Sequence, residues 1–407
     1  KPPSTAARQK APDRSGGMQM FERLFALCLI LPLFACTQLQ DRPSALHAPA
    51  ADLYDASAPD LGLSPLPGAK AITVFRPGPG TDQFSNGAVP IVFKGRVFVQ
   101  WQSSARDEDA PDTWVAYSVS DDNGDQWSAP RPLTTPSDGE EIRSSGGWWT
   151  DGETLIAFIN VWPEGFHKRT GGYTAYRLSH DGETWSEPRP VLGADGMPVN
   201  GVIEQDPHLY DGRLHTAFHV RPGIRARPFY TDDPLGLTGW QAGAFENLPS
   251  DPPMSRELEP SLFQRGDCLV MVFRDQASSF RQLASESCDR GESWSRPQLT
   301  AMPDARTKQS AGNLPGGTAF LVHAPKGDKL RIPLVLSLSE DGHVFDRAFL
   351  LRGADDLQPL RTEGLYKRPG YHYPKSWVAG DFLFIAYTAN KENVELTRIP
   401  LSALEAR

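Results

Sequence analysis

One short phrase recurs along the chain and constrains the fold more than any other feature. Its fullest form is S-x-D-x-G-x-x-W, which occurs twice with the same spacing, and shorter or degenerate forms occur three more times. The five copies are residues 120–127, 179–185, 231–240, 287–294 and 339–345. Their first residues are separated by 59, 52, 56 and 52 positions. A repeat of this length indicates successive copies of one supersecondary unit.

The residue types in the phrase are those of a tight turn. An aspartate accepts hydrogen bonds from backbone N–H groups that follow it, and glycine adopts a positive φ without steric cost. The first copy follows an alternating stretch, Trp114 to Val119, so the phrase is expected at a hairpin tip with its aromatic residue packed back on the sheet. The phrase therefore predicts a structural turn and not a catalytic group.

The phrase resembles the Asp-box of the sialidase (neuraminidase) superfamily, and four or five copies make the resemblance specific. The chain between the copies divides into six units of short apolar strands, a pattern typical of radial blades. The strand 71–75 completes the sixth unit, which lacks its own phrase. We therefore predict an all-β fold, a single six-bladed β-propeller over residues 69–407. A parallel β-helix is the alternative, although its repeats are shorter.

Composition agrees with a large β domain and limits the partners. The chain has 407 residues, 39% of them hydrophobic, with 36 Gly and 37 Pro for tight turns and ten Trp for aromatic-rich blades or a sugar-stacking surface. The net charge of −9 argues against nucleic acid, because phosphate binding needs a basic face. A glycan or oligosaccharide is the expected partner. Oligomeric state is left open by the sequence.

The N-terminal residues have the features of an export signal. Arg23 precedes an apolar run at 24–36 that is too short for a comfortable membrane span. Leu33 to Cys36 resembles a bacterial lipobox, which implies lipidation of Cys36, while the bulky Phe34 leaves ordinary signal-peptide cleavage as the alternative. Residues 1–36 are thus predicted as a leader of an exported outer-membrane or periplasmic lipoprotein. Residues 37–68, rich in Ala, Pro, Asp and Ser, are predicted as a flexible linker.

The remaining cysteines do not indicate a metal site. Only Cys268 and Cys288 lie beyond the leader, without a C-x-x-C motif or a Cys/His cluster, so neither zinc nor another cofactor is expected. A disulfide between them is compatible with export, and the sequence does not decide it.

The resemblance to sialidases implies a set of site residues. Glu259, in Glu-Pro-Ser, and Arg274, 15 residues later, match the family's glutamate and one of its arginines. Arg331 matches a further arginine, and the two guanidinium groups would bind the substrate carboxylate. Tyr373 lies where the family has its nucleophilic tyrosine, and Tyr371 is the alternative for this role. A neutral nucleophile suits a substrate that carries its own carboxylate, and Glu259 would accept its proton.

A carboxylic acid must also protonate the leaving oxygen. Asp109, in the loop before the first phrase, is the predicted acid, and Asp107 and Asp112 compete with it. The family pattern is broken at the first blade, where Ala88 stands in place of a third arginine, and Arg76 upstream could supply a guanidinium only by a different route. Histidines are possible acid/base groups of a different site, namely His167, His208, His215 and His372.

Three functions are compatible with these features. The first is an exported exo-glycosidase of sialidase type that hydrolyses a terminal acidic sugar. The second is a sialidase-like propeller acting on another polysaccharide, as a hydrolase or lyase, which the missing arginine favours. The third is a non-catalytic carbohydrate-binding propeller.

Overall fold

The structure, a computed structural model, describes residues 46–137 and 139–405. The predicted leader, including the lipidation residue Cys36, lies outside the described residues. In the described part no helix has the length and apolar character needed to cross a bilayer.

Six antiparallel sheets follow one another along the chain, and each is a blade of the propeller. Two strands precede the first blade, β1 (Ala48–Pro49) and β2 (Lys70–Phe75). Blade 1 contains β3 to β6, which are Phe84–Phe93, Arg96–Ser104, Trp114–Ser120 and Arg131–Pro132. Blade 2 contains β7 to β10, which are Ile142–Thr150, Leu155–Trp162, Tyr173–Ser179 and Arg189–Pro190. Blade 3 contains β11 to β15, which are Gly201–Ile203, His208–Tyr210, Arg213–Val220, Arg225–Thr231 and Gln241–Ala242.

The second half of the ring repeats this organisation. Blade 4 contains β16 to β19, which are Glu257–Arg265, Cys268–Asp275, Arg281–Ser287 and Gln298–Pro303. Blade 5 lies within β20 to β24, which are Ser310–Asn313, Ala319–His323, Leu334–Ser339, Val344–Phe345 and Arg347–Arg352. Of these, β23 is outside the blade's sheet. Blade 6 contains β25 to β27, which are Tyr371–Ala379, Phe382–Ala389 and Asn393–Pro400. A short helix α1, Ser402–Glu405, follows.

The N-terminal strand β2 closes the ring. It pairs antiparallel with β27, with Lys70 opposite Arg398 and Ala71 opposite Thr397, and so becomes the fourth strand of blade 6. Apolar faces of successive blades pack on one another; for example, the rings of Phe98 in blade 1 and Trp148 in blade 2 are 6.1 Å apart. The prediction of an all-β, six-bladed propeller is confirmed.

The recurring phrase forms the turn after the third strand of a blade, as predicted. In the first copy the Ser120 hydroxyl donates to Asp122 (2.7 Å), and the Gly124 N–H donates to the Ser120 oxygen (2.8 Å). The Trp127 indole donates back to the Gly124 carbonyl at 2.8 Å. Residues 287–294 repeat this pattern. Because strands alternate in direction, these turns lie at the opposite end of the blades from the loops that follow the second strands.

The prediction of a flexible linker is wrong for residues 46–68, which pack against the propeller. β1 pairs with β23, and the buried His47 ring forms a hydrogen bond with Gln282 at 2.9 Å. The Tyr54 hydroxyl lies 2.7 Å from the Ser337 hydroxyl, and Leu61 and Leu66 are buried. This segment has single anchoring side chains at irregular spacing. Such anchors produce no periodic signal in the sequence, although each removes apolar surface from water.

A disulfide links two neighbouring strands of blade 4. It joins Cys268, at the start of β17, to Cys288, the residue after β18, with Cα atoms 4.1 Å apart. The structure thus decides the pairing that the sequence left open.

Candidate active site

A cavity of about 470 Å³ lies at the end of the ring opposite the phrase turns, and residues from all six blades line it. This volume is in the range of small-molecule sites. The five site residues predicted from the sequence within the described part all line it: Asp109, Glu259, Arg274, Arg331 and Tyr373. They come from four different blades, so only closure of the ring brings them together.

The first strands of four blades share an irregularity at this cavity. Each contains a shift in pairing register, and each has one residue with positive φ at the shift. In blades 1 and 2 this residue is a glycine, Gly87 (φ +62°) or Gly147 (φ +86°). In blades 4 and 6 it is Glu259 or Tyr373, each with φ +53°. A left-handed conformation costs a residue with a side chain roughly 1 kcal/mol or more, and such strain concentrates at functional sites.

Tyr373 has its hydroxyl group inside the cavity among cations. Arg274 Nη1 lies 3.5 Å from the hydroxyl oxygen. Arg331, Lys308 and Lys391 lie 5.0, 5.3 and 5.6 Å from the ring centroid. Burial and the charge of Glu259 raise the pKa of Tyr373, against the opposing effect of the arginines, so the hydroxyl is neutral in the free protein.

The alternative nucleophile, Tyr371, is not in the cavity. Its ring is 1% exposed and packs against Tyr387, and its hydroxyl donates to the Gly353 carbonyl at 2.9 Å. The two tyrosines are two residues apart on β25 but point to different regions, because Tyr371 is still paired with Ala389 whereas Tyr373 lies inside the register shift between His372 and Lys375. Of the two, only Tyr373 is available to a ligand in this cavity.

Glu259 is held as a carboxylate. Arg274 donates to Glu259 Oε2 at 2.7 Å. Burial raises the pKa of Glu259, but the positive charges of Arg274, Lys308 and Arg331 outweigh burial and lower the pKa to about 2. The group is therefore ionised at neutral pH and can accept a proton or a hydrogen bond.

Asp109 has the opposite property. It lies in the loop between β4 and β5, and burial together with the charge of Glu108 raises its pKa to about 7, although Lys391 acts in the other direction. A carboxyl group with this pKa is partly protonated at neutral pH, as a general acid requires.

The two competing aspartates of the same loop have structural partners instead. Asp107 accepts the Leu365 N–H at 2.7 Å, and Asp112 accepts the Ala105 N–H at 2.9 Å. Neither lines the cavity. The structure therefore favours Asp109 as the acid of this loop.

The cationic side of the cavity is not fully neutralised. Arg331 donates to His372 Nδ1 at 2.8 Å, and the buried Nε atoms of Arg274 and Arg331 have no hydrogen-bond partner within the described residues. Arg306 and Arg368 also line the cavity and, among the described residues, form no ion pair. Buried donors without partners are costly, so this wall is suited to an anionic ligand.

Blade 1 contributes no cation, as the sequence indicated. Ala88 is fully buried in a cluster with Val99 and Trp101, away from the cavity. Asn86 and Gly87 line the cavity instead, and a Cβ atom at Gly87 would lie 2.8 Å from Gln205 Nε2. A side chain at this position would displace the Gln205 amide and would be strained by the positive φ.

Several cavity residues were not anticipated from the sequence. Lys308 donates to Glu204 (2.5 Å) and Gln205 (2.6 Å), and Lys391 pairs with Glu108. Lys308 lies two residues before β20 and Glu259 is the third residue of β16, so both lie near the start of a first strand and comparison of the repeats offered a signal for Lys308. Lys391 lies in a turn of blade 6 and had no such signal.

Comparisons with known proteins agree with the ring and its cavity. Residues 95–385 match the model of the BNR repeat-like domain. A solved sialidase is similar with a TM-score of 0.62 and 19% identity, over 88% of this chain and 35% of that protein, so this chain spans about a third of its length. Hadza microbial sialidase Hz136 is similar with a TM-score of 0.64 and 15% identity, over 82% of this chain and 69% of that protein.

A protein of unknown function from Dyadobacter fermentans DSM 18053 is also similar, with a TM-score of 0.60, 16% identity, and coverage of 82% of this chain and 99% of that protein. No protein with curated annotation matches the chain. At these identities the structural likeness concerns the fold, while the match to the domain model spans most of the chain. The chain therefore belongs to the BNR repeat-like family, as a six-bladed propeller of the sialidase type.

Proposed function

We propose that the protein is an exo-glycosidase of sialidase type that hydrolyses a terminal acidic sugar from a glycan. The observation that carries this proposal is the convergence of a neutral tyrosine, an ionised glutamate and a carboxyl group of raised pKa on one cation-lined cavity. The uncompensated charge of Arg331 and Arg368 favours a substrate that carries a carboxylate.

In the first half of the reaction, the Tyr373 oxygen bonds to the anomeric carbon while the glycosidic bond breaks. Asp109 gives its proton to the leaving oxygen, and Glu259 accepts the tyrosine proton. A neutral nucleophile avoids repulsion by the substrate carboxylate, which stays on the arginine side of the cavity. Until it takes the tyrosine proton, the charge of Glu259 also stabilises the positive charge that develops on the sugar ring.

In the second half, water attacks the anomeric carbon and the bond to tyrosine breaks. Asp109, now ionised, accepts a proton from this water. Glu259 returns to the Tyr373 oxygen the proton that it took in the first half of the reaction. Two displacements at one carbon retain its configuration. The released sugar is therefore expected first as the same anomer as in the substrate.

The test compares two tyrosine variants of the purified protein on fluorogenic sialosides. Tyr373→Phe removes the cavity hydroxyl and is expected to lower kcat by at least ~10³-fold. Tyr371→Phe removes a hydroxyl bonded in the core and is the matched control, with kcat close to wild type. NMR of the early product gives the anomer. No turnover of any sialylated or uronate-bearing glycan by the wild type, or equal turnover by Tyr373→Phe, would refute the proposal.

A second candidate is a propeller of this type that acts on another acidic polysaccharide. The observation that favours it is blade 1, where Ala88 is buried in the core and no arginine reaches the cavity. His167 and His219 also line the cavity and are potential proton-transfer groups of a lyase. Absorbance of a 4,5-unsaturated uronate during digestion supports a lyase, and new reducing ends without that absorbance exclude it. Binding of glycans without any product over long incubation would support the non-catalytic alternative.

We also propose that the protein is exported and anchored to a bacterial membrane through Cys36. The support is the apolar run at 24–36 after Arg23 and the lipobox-like residues that end it. Expression of the full chain with labelled fatty acid tests this. Incorporation that is lost in Cys36→Ser supports the anchor, and equal partition of both proteins into the aqueous phase contradicts it.

A further inference from the structure

The turn between β26 and β27 is built to hold one lysine at the cavity. Asn390 and Lys391 both have positive φ, at +59° and +56°. The Asn390 N–H donates to the Gly370 carbonyl (2.8 Å), and the Gly370 N–H donates to the Asn390 side chain (3.1 Å). Together with the Glu392 N–H that donates to the Ala389 carbonyl at 2.9 Å, these φ values make a type I′ hairpin turn, in which asparagine is favoured and a lysine is held with some strain.

The next residue of this turn adds to its rigidity. The Glu392 carboxylate, 3% exposed on its side chain, accepts the Thr362 N–H at 2.9 Å and the Lys367 ammonium at 2.9 Å. These contacts join the turn to the loop before blade 6. The position of Lys391 is therefore fixed by its surroundings and not by its own flexible side chain.

Lys391 lies beside the strand that lacks the expected arginine. Its carbonyl accepts the Ser85 N–H of β3 at 3.0 Å, three residues before Ala88. Its ammonium pairs with Glu108, which also accepts the Asn86 amide at 2.9 Å. The same ammonium lies 5.6 Å from the Tyr373 ring centroid, and the residue lines the cavity although it is 1% exposed.

A buried ammonium has three N–H donors, and among residues 46–137 and 139–405 the Lys391 ammonium has one hydrogen-bond partner, Glu108. Two donors thus remain for a ligand next to the nucleophile. We propose that Lys391, supplied by blade 6, replaces the missing blade 1 arginine as a binding residue for the carboxylate of the substrate. This inference rests on the proposed function. The substrate carboxylate would then be bound by three cations, Lys391, Arg331 and Arg274.

A lysine in this role makes binding sensitive to pH in a way that an arginine would not. Burial lowers the pKa of Lys391 to about 8, although Glu108 acts in the opposite direction. The charge is present below this pH and is lost as the pH rises through it. The charged and titratable groups around Lys391 are Glu108, Asp109, Arg331, Arg368, His372 and Tyr373.

The experiment measures binding without turnover, by calorimetry on the full chain with an unsaturated acidic sugar analogue and its neutral methyl ester. Lys391→Met is expected to weaken binding of the acid by roughly 10- to 100-fold at pH 7, the range of a hydrogen bond to a charged group, and to leave the ester unchanged. Lys391→Arg retains binding of the acid. In the wild type, affinity for the acid falls more steeply between pH 7 and pH 9 than in Lys391→Arg, where the ionisation of Asp109 remains but the lysine no longer titrates.

The variant Lys391→Met leaves the Glu108 carboxylate without a cation, which could by itself disturb the cavity. The pH series compares the wild type with Lys391→Arg, and both of these proteins keep a cation beside Glu108. Equal affinity of Lys391→Met and wild type for the acid, or the same pH dependence in Lys391→Arg as in the wild type, overturns the inference while the proposed function stands. If the wild type neither binds nor hydrolyses any acidic sugar, the proposed function fails and this inference fails with it.

Discussion

Asp109→Asn is expected to stabilise the folded protein at alkaline pH. The pKa of Asp109 is about 7 in the folded chain against an ordinary value of 3.8, because burial and Glu108 disfavour its ionised form. A group with a raised folded pKa contributes full stability at low pH, and this stability is lost as the pH rises from 3.8 to about 7. The neutral asparagine avoids this loss.

The magnitude follows from the shift in pKa. A shift of about three pKa units corresponds to about 4 kcal/mol of unfolding free energy, and the partial exposure of Asp109 at the cavity mouth reduces the expected value to about 2 kcal/mol. Backbone strain does not offset this gain, because Asp109 has φ +57° and asparagine tolerates this region well.

Urea unfolding followed by tryptophan fluorescence at pH 4 and pH 8 measures the effect. The difference in unfolding free energy between Asp109→Asn and wild type is expected to be near zero at pH 4 and about 2 kcal/mol at pH 8. Asp107→Asn is the control, since its carboxylate accepts the Leu365 N–H and its replacement brings no gain. A variant that is no more stable than wild type at pH 8, or equally stabilised at both pH values, would refute the reasoning.

Three further changes test other parts of the structure. Glu259→Gln is expected to lose about 3 kcal/mol of unfolding free energy at pH 7, because the pKa of Glu259 is about 2 in the folded chain against an ordinary value of 4.5. This contribution is present above pH 4.5 and disappears as the pH falls through 2, and equal urea midpoints of variant and wild type at pH 7 would contradict it. Gly147→Ala places a Cβ atom 2.2 Å from the Gln205 carbonyl oxygen and should lower the unfolding free energy by about 3 kcal/mol or more. The control Gly152→Ala has the same sign of φ but open space around the Cβ atom, so it should lose about 1 kcal/mol, and the melting temperatures of the two variants measure the difference. Asp289→Ala removes the acceptor of a phrase turn and should cost about 1 kcal/mol while the affinity of the cavity for an acidic sugar stays unchanged, and a loss of affinity would connect this turn with the site.

The architecture was predictable because its signals are local. A turn such as residues 120–127 is stabilised by contacts within four positions, so residue types and spacing suffice to recognise it. Five copies of this turn, together with a sixth group of strands that lacks it, give six blades. The resemblance also led to Glu259, Arg274, Arg331 and Tyr373, which the structure places in one cavity, while their roles stay predictions.

Two kinds of feature had no local signal. Residues 46–68 read as a linker because their anchors, such as His47 and Tyr54, contact partners more than 230 positions away. The choice between Tyr371 and Tyr373 depended on a shift in strand register, which moves a side chain from one side of a sheet to the other without any change in composition.

The amino-acid sequence by itself determined the ring, because turn chemistry and alternating apolar residues act over a few positions and repeat. Only the tertiary structure decided the chemistry of the cavity, since the groups that set its charge are distant along the chain. Lys391 and Glu108 are 283 positions apart, and Lys308 and Glu204 are 104 apart. The pKa values of the two lysines depend on burial and on the charges of these partners, which act on them only after the ring has closed.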